Sequence, residues 1–395
     1  MSGVVRGALR LVFFSSMGGS AWGGSEVLWS RAAWRALEAG HRVTVSVFDH
    51  GAEAPEVASL ARAGAAVVGR ERRPSRVASW FGTPGWLRSF EGVDAVCVSQ
   101  GAAFEAAGRR ATRPMVRWLT RSGVPFVNVV QFNRPGASLG WAVRGLAGAF
   151  YRGASRNLFV AGRNIGEASA VLGFEVPRAG VIRNPVNLTD VSALPWPAED
   201  GVARLACVGR LHVAAKGQDL LLEAFSRRAW RDGVWRLTLA GSGEDRAALT
   251  DQASRLGLAG NIEFAGEVAD VRSLWAGHHL LVLPSRAEGT PLAMVEAMLM
   301  GRAGVVSDVG GCAEWVSEGE SGFVAASAGG VSGGPPDVGT VGAALDRAWA
   351  ARGAWREMGE RARRAALGLY DPDPGSTLLR HLEDAARRGR IGESG

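Results

Sequence analysis

Short apolar runs rich in Val, Leu and Phe recur along the chain. Each is followed by a longer segment in which apolar residues return every three or four positions. In the first half the runs predict strands over 9–14, 42–48, 65–68, 94–98, 125–130, 157–160 and 180–182. The intervening periodic segments predict helices over 25–39, 54–62, 102–120 and 139–152. The apolar runs do not alternate with polar residues, so both faces of each strand are expected to be covered, as in a parallel sheet between helical layers. The stretch 188–200 (LTDVSALPWPAED) has two prolines around Trp196 and no period, and it reads as a linker. The alternation then restarts, with strands predicted over 204–208, 235–240, 262–264, 280–283, 304–307 and 322–324. Helices are predicted over 218–229, 245–256, 268–277, 292–301 and 338–352. The glycine-rich stretch 329–337 reads as a loop, and a last helix is expected after Asp371-Pro372-Asp373-Pro374.

Two blocks of strand–helix alternation predict an α/β protein of two Rossmann-like domains in tandem. The expected boundaries are 1–190, 191–370 and a terminal segment 371–395. Ligands of such sheets bind outside the carboxyl ends of the strands, so the two sheets are expected to face each other across a cleft.

Composition narrows the reading. A chain of 395 residues, 47% hydrophobic and 21% charged, is long enough for two ordinary cores. No uncharged apolar run reaches the roughly 18 residues of a membrane-spanning helix. The first apolar run is short and leads into a glycine loop, which fits a strand rather than a signal peptide. Cys97, Cys207 and Cys312 lie far apart, with neither zinc spacing nor a disulfide framework, and point to the cytoplasm. Residues 1–190 carry 23 Arg against 12 Asp and Glu, a balance of +11; residues 191–395 carry 22 Lys and Arg against 26 acids, a balance of −4. A basic first half suits an anionic partner, either a membrane surface or a substrate, and no nucleic-acid-binding motif accompanies it. Arginine drift in the coding sequence would give the same balance. Among the 45 Lys and Arg, the only lysine is Lys216. It places one compact point charge in a chain that otherwise uses planar guanidinium forks.

That lysine lies in Gly209-Arg210-Leu211-His212-Val213-Ala214-Ala215-Lys216-Gly217, after a predicted strand and before a helix. Two cations beside helix N-terminal amides suit a diphosphate and can offset its charge without a metal. Without a ligand the segment is a solvated basic loop. A second loop-to-helix segment, Pro284 to Met298, carries Glu288 in the loop and Glu296 within an apolar helix. A carboxylate so placed needs hydrogen-bond partners, which sugar or ribose hydroxyls would supply. The amides of Gly289 and Thr290 could receive a phosphate oxygen. A capping glutamate and a surface glutamate would be the plainer account of the pair. Asp371-Pro372-Asp373 reads as a turn and helix start rather than a metal motif, and His278-His279 as a pair at a helix end. Arg109, Arg110, Arg113, Arg117 and Arg121, with Met115, Trp118 and Leu119, form a basic, partly aromatic stretch suited to an anionic bilayer or to solvent.

Taken in order, these segments resemble glycosyltransferase family 4, retaining nucleotide-sugar transferases of the two-domain GT-B fold. The resemblance rests on Gly209-Arg210…Lys216-Gly217, Ala240-Gly241-Ser242-Gly243, Phe264-Ala265-Gly266, Glu288 to Glu296, and Asp308-Val309-Gly310-Gly311…Glu314. In the first half it rests on Gly23-Gly24-Ser25-Glu26, Ala39-Gly40-His41-Arg42-Val43 and Asn184-Pro185-Val186. It implies that Arg210 and Lys216 bind the donor diphosphate, Glu288 the transferred sugar and Glu296 the ribose. Gly289 and Thr290 would lend amides, the backbone near Glu267 and Val268 would hold the base, and Gly241 would belong to the donor site. Gly23 and Gly24 would approach the donor phosphates from the acceptor domain. The terminal helix is expected to cross back to the N-terminal domain. No cofactor or obligatory metal is implied. Two positions depart from the family pattern. Gln131 stands where many members carry a histidine, so it can contact a sugar but cannot act as a general base. Pro291 removes one amide from the glutamate loop. A nucleotide-sugar-binding protein without transferase activity, and an epimerase or phosphorylase on the same fold, remain the alternatives.

Overall fold

The computed structural model describes residues 7–19, 22–72, 84–133, 136–227, 234–330 and 334–392. The chain forms two compact units. One runs to Pro185 and takes back the segment from Asp371; the other spans Val186–Tyr370. The division thus falls before the boundary at 190 expected from the proline-rich stretch, all of which belongs to the second unit.

The first unit is built on β1 (Arg10–Ser15), β2 (Arg42–Phe48), β3 (Ala66–Arg70), β4 (Ala95–Ala102), β5 (Phe126–Phe132), β6 (Arg156–Phe159) and β7 (Ala179–Val181). They form one parallel sheet in the order β3-β2-β1-β4-β5-β6-β7. Successive residues of β1 serve opposite faces: Leu11 and Phe13 join one core cluster, Val12 and Phe14 the other. This is the physical reason the strand sequences do not alternate. The first cluster is closed by the helices Gly24–Glu38, Pro55–Arg62 and Pro374–Gly392. The terminal helix packs along Gly24–Glu38 through Leu378, Leu382 and Ala385. Glu383 on it meets the ring of His41 at 3.1 Å.

The second unit holds β8 (Ala203–Val208), β9 (Trp235–Ala240), β10 (Ile262–Gly266), β11 (Leu280–Leu283), β12 (Ala303–Ser307) and β13 (Gly322–Ala325). All pair in parallel, in the order β10-β9-β8-β11-β12-β13. Counted within the unit this is 3-2-1-4-5-6, the doubly wound order, with its switch point between β8 and β11. The α/β architecture of two parallel-sheet units expected from the sequence is the one observed.

The helix predicted over 102–120 is broken into Glu105–Gly108 and Arg113–Ser122. Pro114, in the first turn of the second piece, has no N–H to continue a helix and would crowd the preceding turn. Phe104 enters the first piece with a left-handed φ of 68°. Helices Arg163–Leu172 and Trp355–Leu369 were not predicted. Positions 228–229 of the helix predicted over 218–229, and 331–333 of the loop 329–337, lie outside the described residues. Among the described residues no helix is long and apolar enough to cross a membrane.

Candidate functional site

The site assembles on the loops that leave β8 and β11, the two strands beside the switch point. Crossovers on either side of it run to opposite faces of the sheet, so the loops diverge and leave a crevice. The β8 loop rests on the β9 loop through Gly241, whose φ is +144°; a Cβ there would lie 2.1 Å from the Gly209 carbonyl oxygen. Leu211 N–H donates to Ser242 O at 2.8 Å, and Asp245 accepts from Val213 N–H at 2.6 Å. The loop contains the single-turn helix Val213–Lys216, stopped at Gly217. Gly217 has φ +67°, and a Cβ on it would meet Pro284 O at 2.1 Å. Only glycine lets the β8 and β11 loops touch there.

That contact brings Lys216 to Glu288. Nζ lies 2.5 Å from Oε1, with side chains 27% and 10% exposed. Ser285 Oγ donates to the same oxygen at 2.8 Å. A further clamp, not foreseen from the sequence, is Arg286. It forks onto both oxygens of Asp219 at 2.6 and 2.7 Å and donates to Val213 O at 2.7 Å. Arg286 and Ala287 N–H also donate to Ala215 O. The loop's other flank is held by Gly311 N–H on Gly289 O, 2.6 Å. The Cys207 thiol beneath is pushed up to about 12 by burial, so it carries no thiolate chemistry.

Arg210 is exposed on the same β8 loop, and its carbonyl accepts from Gln218 Nε2 at 2.8 Å. Glu296 is buried, on the helix Leu292–Leu299. Burial raises its pKa, and bonds from Asn187 oppose the rise; the Asn187 backbone N–H donates to Oε1 at 2.8 Å. The protein itself thus supplies one of the partners that sugar or ribose hydroxyls were expected to supply, while desolvation remains the larger effect. Glu267 is exposed and accepts the Ser242 hydroxyl, with Val268 half-buried beside it. Gly289 is buried, Thr290 half-buried, and Pro291 is the residue before the helix. The second unit thus joins Lys216, Glu288 and Gly289 in one set of contacting loops, with Gly241 beneath the loop that bears Arg210.

Gly23, Gly24 and Gln131 belong to the first unit. Gly23 precedes and Gly24 opens the helix Gly24–Glu38. In its first turn, buried Glu26 accepts from Ser15 Oγ at 3.0 Å, and desolvation lifts its pKa to about 7. Gln131 is buried near the end of β5, where its Oε1 accepts from Asn184 Nδ2 at 2.7 Å. The basic stretch is less free than its sequence suggests. Arg109 pairs with Glu105 at 2.6 Å. Arg113 donates to Ala107 O and Gly108 O, both at 3.0 Å, and so caps the broken helix. Met115 and Leu119 are buried, whereas Arg110, Arg117 and Arg121 are exposed.

Asp371 and Asp373 bind the start of the terminal helix: Asp371 takes the Thr377 hydroxyl at 2.6 Å and Asp373 that of Ser376 at 2.7 Å. This is the turn and helix start read from the prolines. His278 Nδ1 meets Leu274 O at 2.7 Å, in the last turn of its helix. Among the described residues no three His, Cys, Asp or Glu side chains gather as a metal site.

Residues missed by the sequence reading are Ser285, Arg286, Asp219, Asp245 and Asn187. Arg286 lies within the segment Pro284 to Met298, but its partner Asp219 is 67 positions away, and no local spacing signals such a pair.

Comparison with known proteins converges on the same segment. Residues 203–331 match the family model Glyco_trans_1_4, glycosyl transferases group 1. The lipopolysaccharide core biosynthesis mannosyltransferase LpcC of Rhizobium leguminosarum bv. viciae is 34% identical over 168 residues, 40% of this chain. The chain spans about half of that relative's length, 47%. Anabaena Alr3699/HepE, solved in complex with UDP, superposes with a TM-score of 0.73 at 18% identity, covering 95% of this chain and 100% of that one. A glycosyltransferase from Rickettsia africae ESF-5 gives 0.73 at 12% identity, over 97% and 99%. At these identities the solved structures establish the fold, two Rossmann-like domains of the GT-B type. The segment 203–331, which carries every residue of the β8 and β11 loops described above, is similar to group 1 glycosyl transferases.

Proposed function

We propose that the chain is a retaining glycosyltransferase of family 4, which moves a hexose from a nucleotide diphosphate sugar to a hydroxyl acceptor. The observation that carries this reading is the Lys216–Glu288 pair at the switch point, within the stretch similar to group 1 glycosyl transferases. The donor diphosphate would meet Arg210 and Lys216, whose charges offset the charge that develops on the leaving phosphate. Glu288 holds the Lys216 ammonium in place and offers its second oxygen to the transferred sugar. Glu296 would take the ribose, the backbone of Glu267 and Val268 the base, and the amides of Gly289 and Thr290 phosphate or sugar oxygens. Gly241 shapes the floor of this site. Gly23 and Gly24 would admit the donor phosphates close to backbone in the first unit, and Gln131 would contact a sugar hydroxyl.

In the reaction, a bond forms between the acceptor oxygen and the anomeric carbon as the bond from that carbon to the phosphate oxygen breaks, on the same face. The acceptor proton passes to the leaving phosphate, so no side-chain base is required and glutamine at 131 is compatible. With two cations on the diphosphate, we propose that neither a cofactor nor an obligatory metal takes part. The enzyme is proposed to be cytoplasmic, with exposed Arg110, Arg117 and Arg121 contacting an anionic membrane face. Changing these three to Gln should abolish salt-sensitive sedimentation with anionic liposomes; a wild-type chain left in the supernatant at low salt refutes the membrane contact.

Incubation with UDP-, GDP- and dTDP-sugars, with and without EDTA, tests the reaction. One donor should stabilise the chain against heat and be consumed equally in EDTA. Donor indifference refutes the function, and loss of turnover restored only by Mg²⁺ or Mn²⁺ refutes the metal-free step.

A further inference from the structure

At the carboxyl ends of β5, β6 and β7 the first unit gathers carboxamides. Gln131 lies near the end of β5, and Asn133 follows two residues later. Asn164 sits in the first turn of the helix Arg163–Leu172 that follows β6, and Asn184 follows β7. They are linked pairwise: Asn184 Nδ2 donates to Gln131 Oε1 at 2.7 Å, and Asn133 Nδ2 donates to Asn164 O at 2.7 Å. Gln131, Asn133 and Asn164 are 6%, 7% and 0% exposed. Among the described residues, Gln131 Nε2, Asn133 Oδ1, Asn184 Oδ1 and both Oδ1 and Nδ2 of Asn164 are buried without a hydrogen-bond partner.

The same sheet shows how this chain treats amides that serve the fold alone. Further back along β4, β5 and β6, Gln100, Asn128 and Asn157 are also buried. Gln100 Nε2 donates to Asn128 Oδ1 at 2.6 Å, and Asn128 Nδ2 to Asn157 Oδ1 at 2.9 Å. Asn157 Nδ2 then donates to Tyr151 O and Pro177 O, both at 2.9 Å. That ladder is closed, and the set at the carboxyl end is open. Buried polar groups are normally paired, so a cluster left open where α/β sheets bind ligands marks a place that a ligand completes.

The unmet groups also fix the ligand's chemistry. Gln131 Nε2 and Asn164 Nδ2 are donors; Asn133 Oδ1, Asn164 Oδ1 and Asn184 Oδ1 are acceptors. None of the four side chains is charged. A phosphate or carboxylate offers acceptors alone and would face three carbonyl oxygens. A hydroxyl both donates and accepts, and a ring bearing several can answer both kinds of group.

We propose that Asn133 and Asn164, with Gln131 and Asn184, bind uncharged saccharide hydroxyls. As the acceptor pocket of the transferase proposed above, an assignment that rests on that reading, the cluster selects a neutral sugar over a phosphorylated one.

Saturation-transfer NMR on the full chain tests this, with methyl α-glycosides of glucose, galactose and mannose as probes and glucose 6-phosphate as the charged comparison. Nucleotide affinity is measured on the same samples by calorimetry with UDP, GDP and dTDP. At least one neutral glycoside should contact the wild-type chain more strongly than glucose 6-phosphate does. Its signal should fall about tenfold in Asn164→Leu and in Asn133→Leu, with nucleotide affinity unchanged. Asn164→Ala and Asn133→Ala serve if a leucine variant does not fold. If the variants keep the glycoside signal and only gain thermal stability, the amides are merely buried groups and the inference fails. It also fails if no neutral glycoside contacts a chain that binds nucleotide. A chain that binds none of the nucleotides overturns the proposed function instead, so the two failures are distinguishable.

Discussion

Replacing Lys216 by Ala separates what the lysine does for a ligand from what it does for the fold. On the ligand side, a charge-assisted contact to phosphate is worth about 1.5–3 kcal/mol. Its loss should weaken nucleoside diphosphate binding by roughly ten- to a hundredfold. On the protein side, Glu288, 10% exposed, loses a partner at 2.5 Å and keeps the Ser285 hydroxyl at 2.8 Å. Breaking a fully buried pair costs about 3–5 kcal/mol, and an exposed pair is worth about 0–1 kcal/mol. With Lys216 at 27% exposure, a loss of about 1–2 kcal/mol is expected, or roughly 2–8 °C in the melting temperature of the second unit. Adding Glu288→Gln removes the stranded carboxylate, so the double variant should recover stability without recovering affinity. Calorimetry with UDP, GDP and dTDP, paired with thermal unfolding, reads both quantities. Unchanged affinity in Lys216→Ala would sink the diphosphate assignment. Recovery of affinity in the double variant would mean that the lysine acts only by neutralising Glu288.

Glu296→Ala should weaken binding of the bare nucleotide, whereas Glu288→Ala should spare it and impair binding of the sugar donor; equal effects on bare nucleotide in calorimetry would remove the division of roles. Gly217→Ala and Gly257→Ala both place alanine at positive φ, +67° and +74°, but only Gly217 has a carbonyl 2.1 Å from the new Cβ. The Gly257 variant should lose about 1–2 kcal/mol and the Gly217 variant clearly more, together with donor affinity; equal losses in denaturant titration would show that the β8–β11 crossing is not tight. Glu26, raised from 4.5 to about 7, binds its proton more tightly in the folded chain. Its contribution is therefore complete below about pH 4.5 and is lost as pH rises through 7, on the order of 3 kcal/mol in all. Relative to wild type, Glu26→Gln should gain stability between pH 5 and pH 8 in urea titrations, and a difference that does not change with pH would refute the buried-carboxyl account.

The strands were legible because their cause is local. A run such as Leu11 to Phe14 is apolar throughout, since its residues fill two cores at once, and its shortness and Val and Phe content favour a strand over a buried helix. The helix over 102–120 was misread for the converse reason. Its apolar period persists across Gly108 and Pro114, while the break follows from the missing N–H of Pro114 and is sealed by the Arg113 side chain, which caps Ala107 and Gly108. The site divides in the same way. Lys216, Glu288 and the glycines could be singled out as candidates because each stands in a loop between a strand and a helix, where chemistry is expected whatever the rest of the chain does. Asp219 and Asn187 could not, since what they hold at the site, Arg286 and Glu296, lies 67 and 109 positions away. Glu296 shows the cost of that blindness. A lone carboxylate in an apolar helix implied a missing hydrogen-bond donor, and a ribose hydroxyl was inferred to fill the gap. The donor is a backbone N–H of the chain itself, so burial alone no longer argues for the ribose. The case for Glu296 now rests on its place in the glutamate loop-and-helix pattern, and the nucleotide affinity of Glu296→Ala decides it.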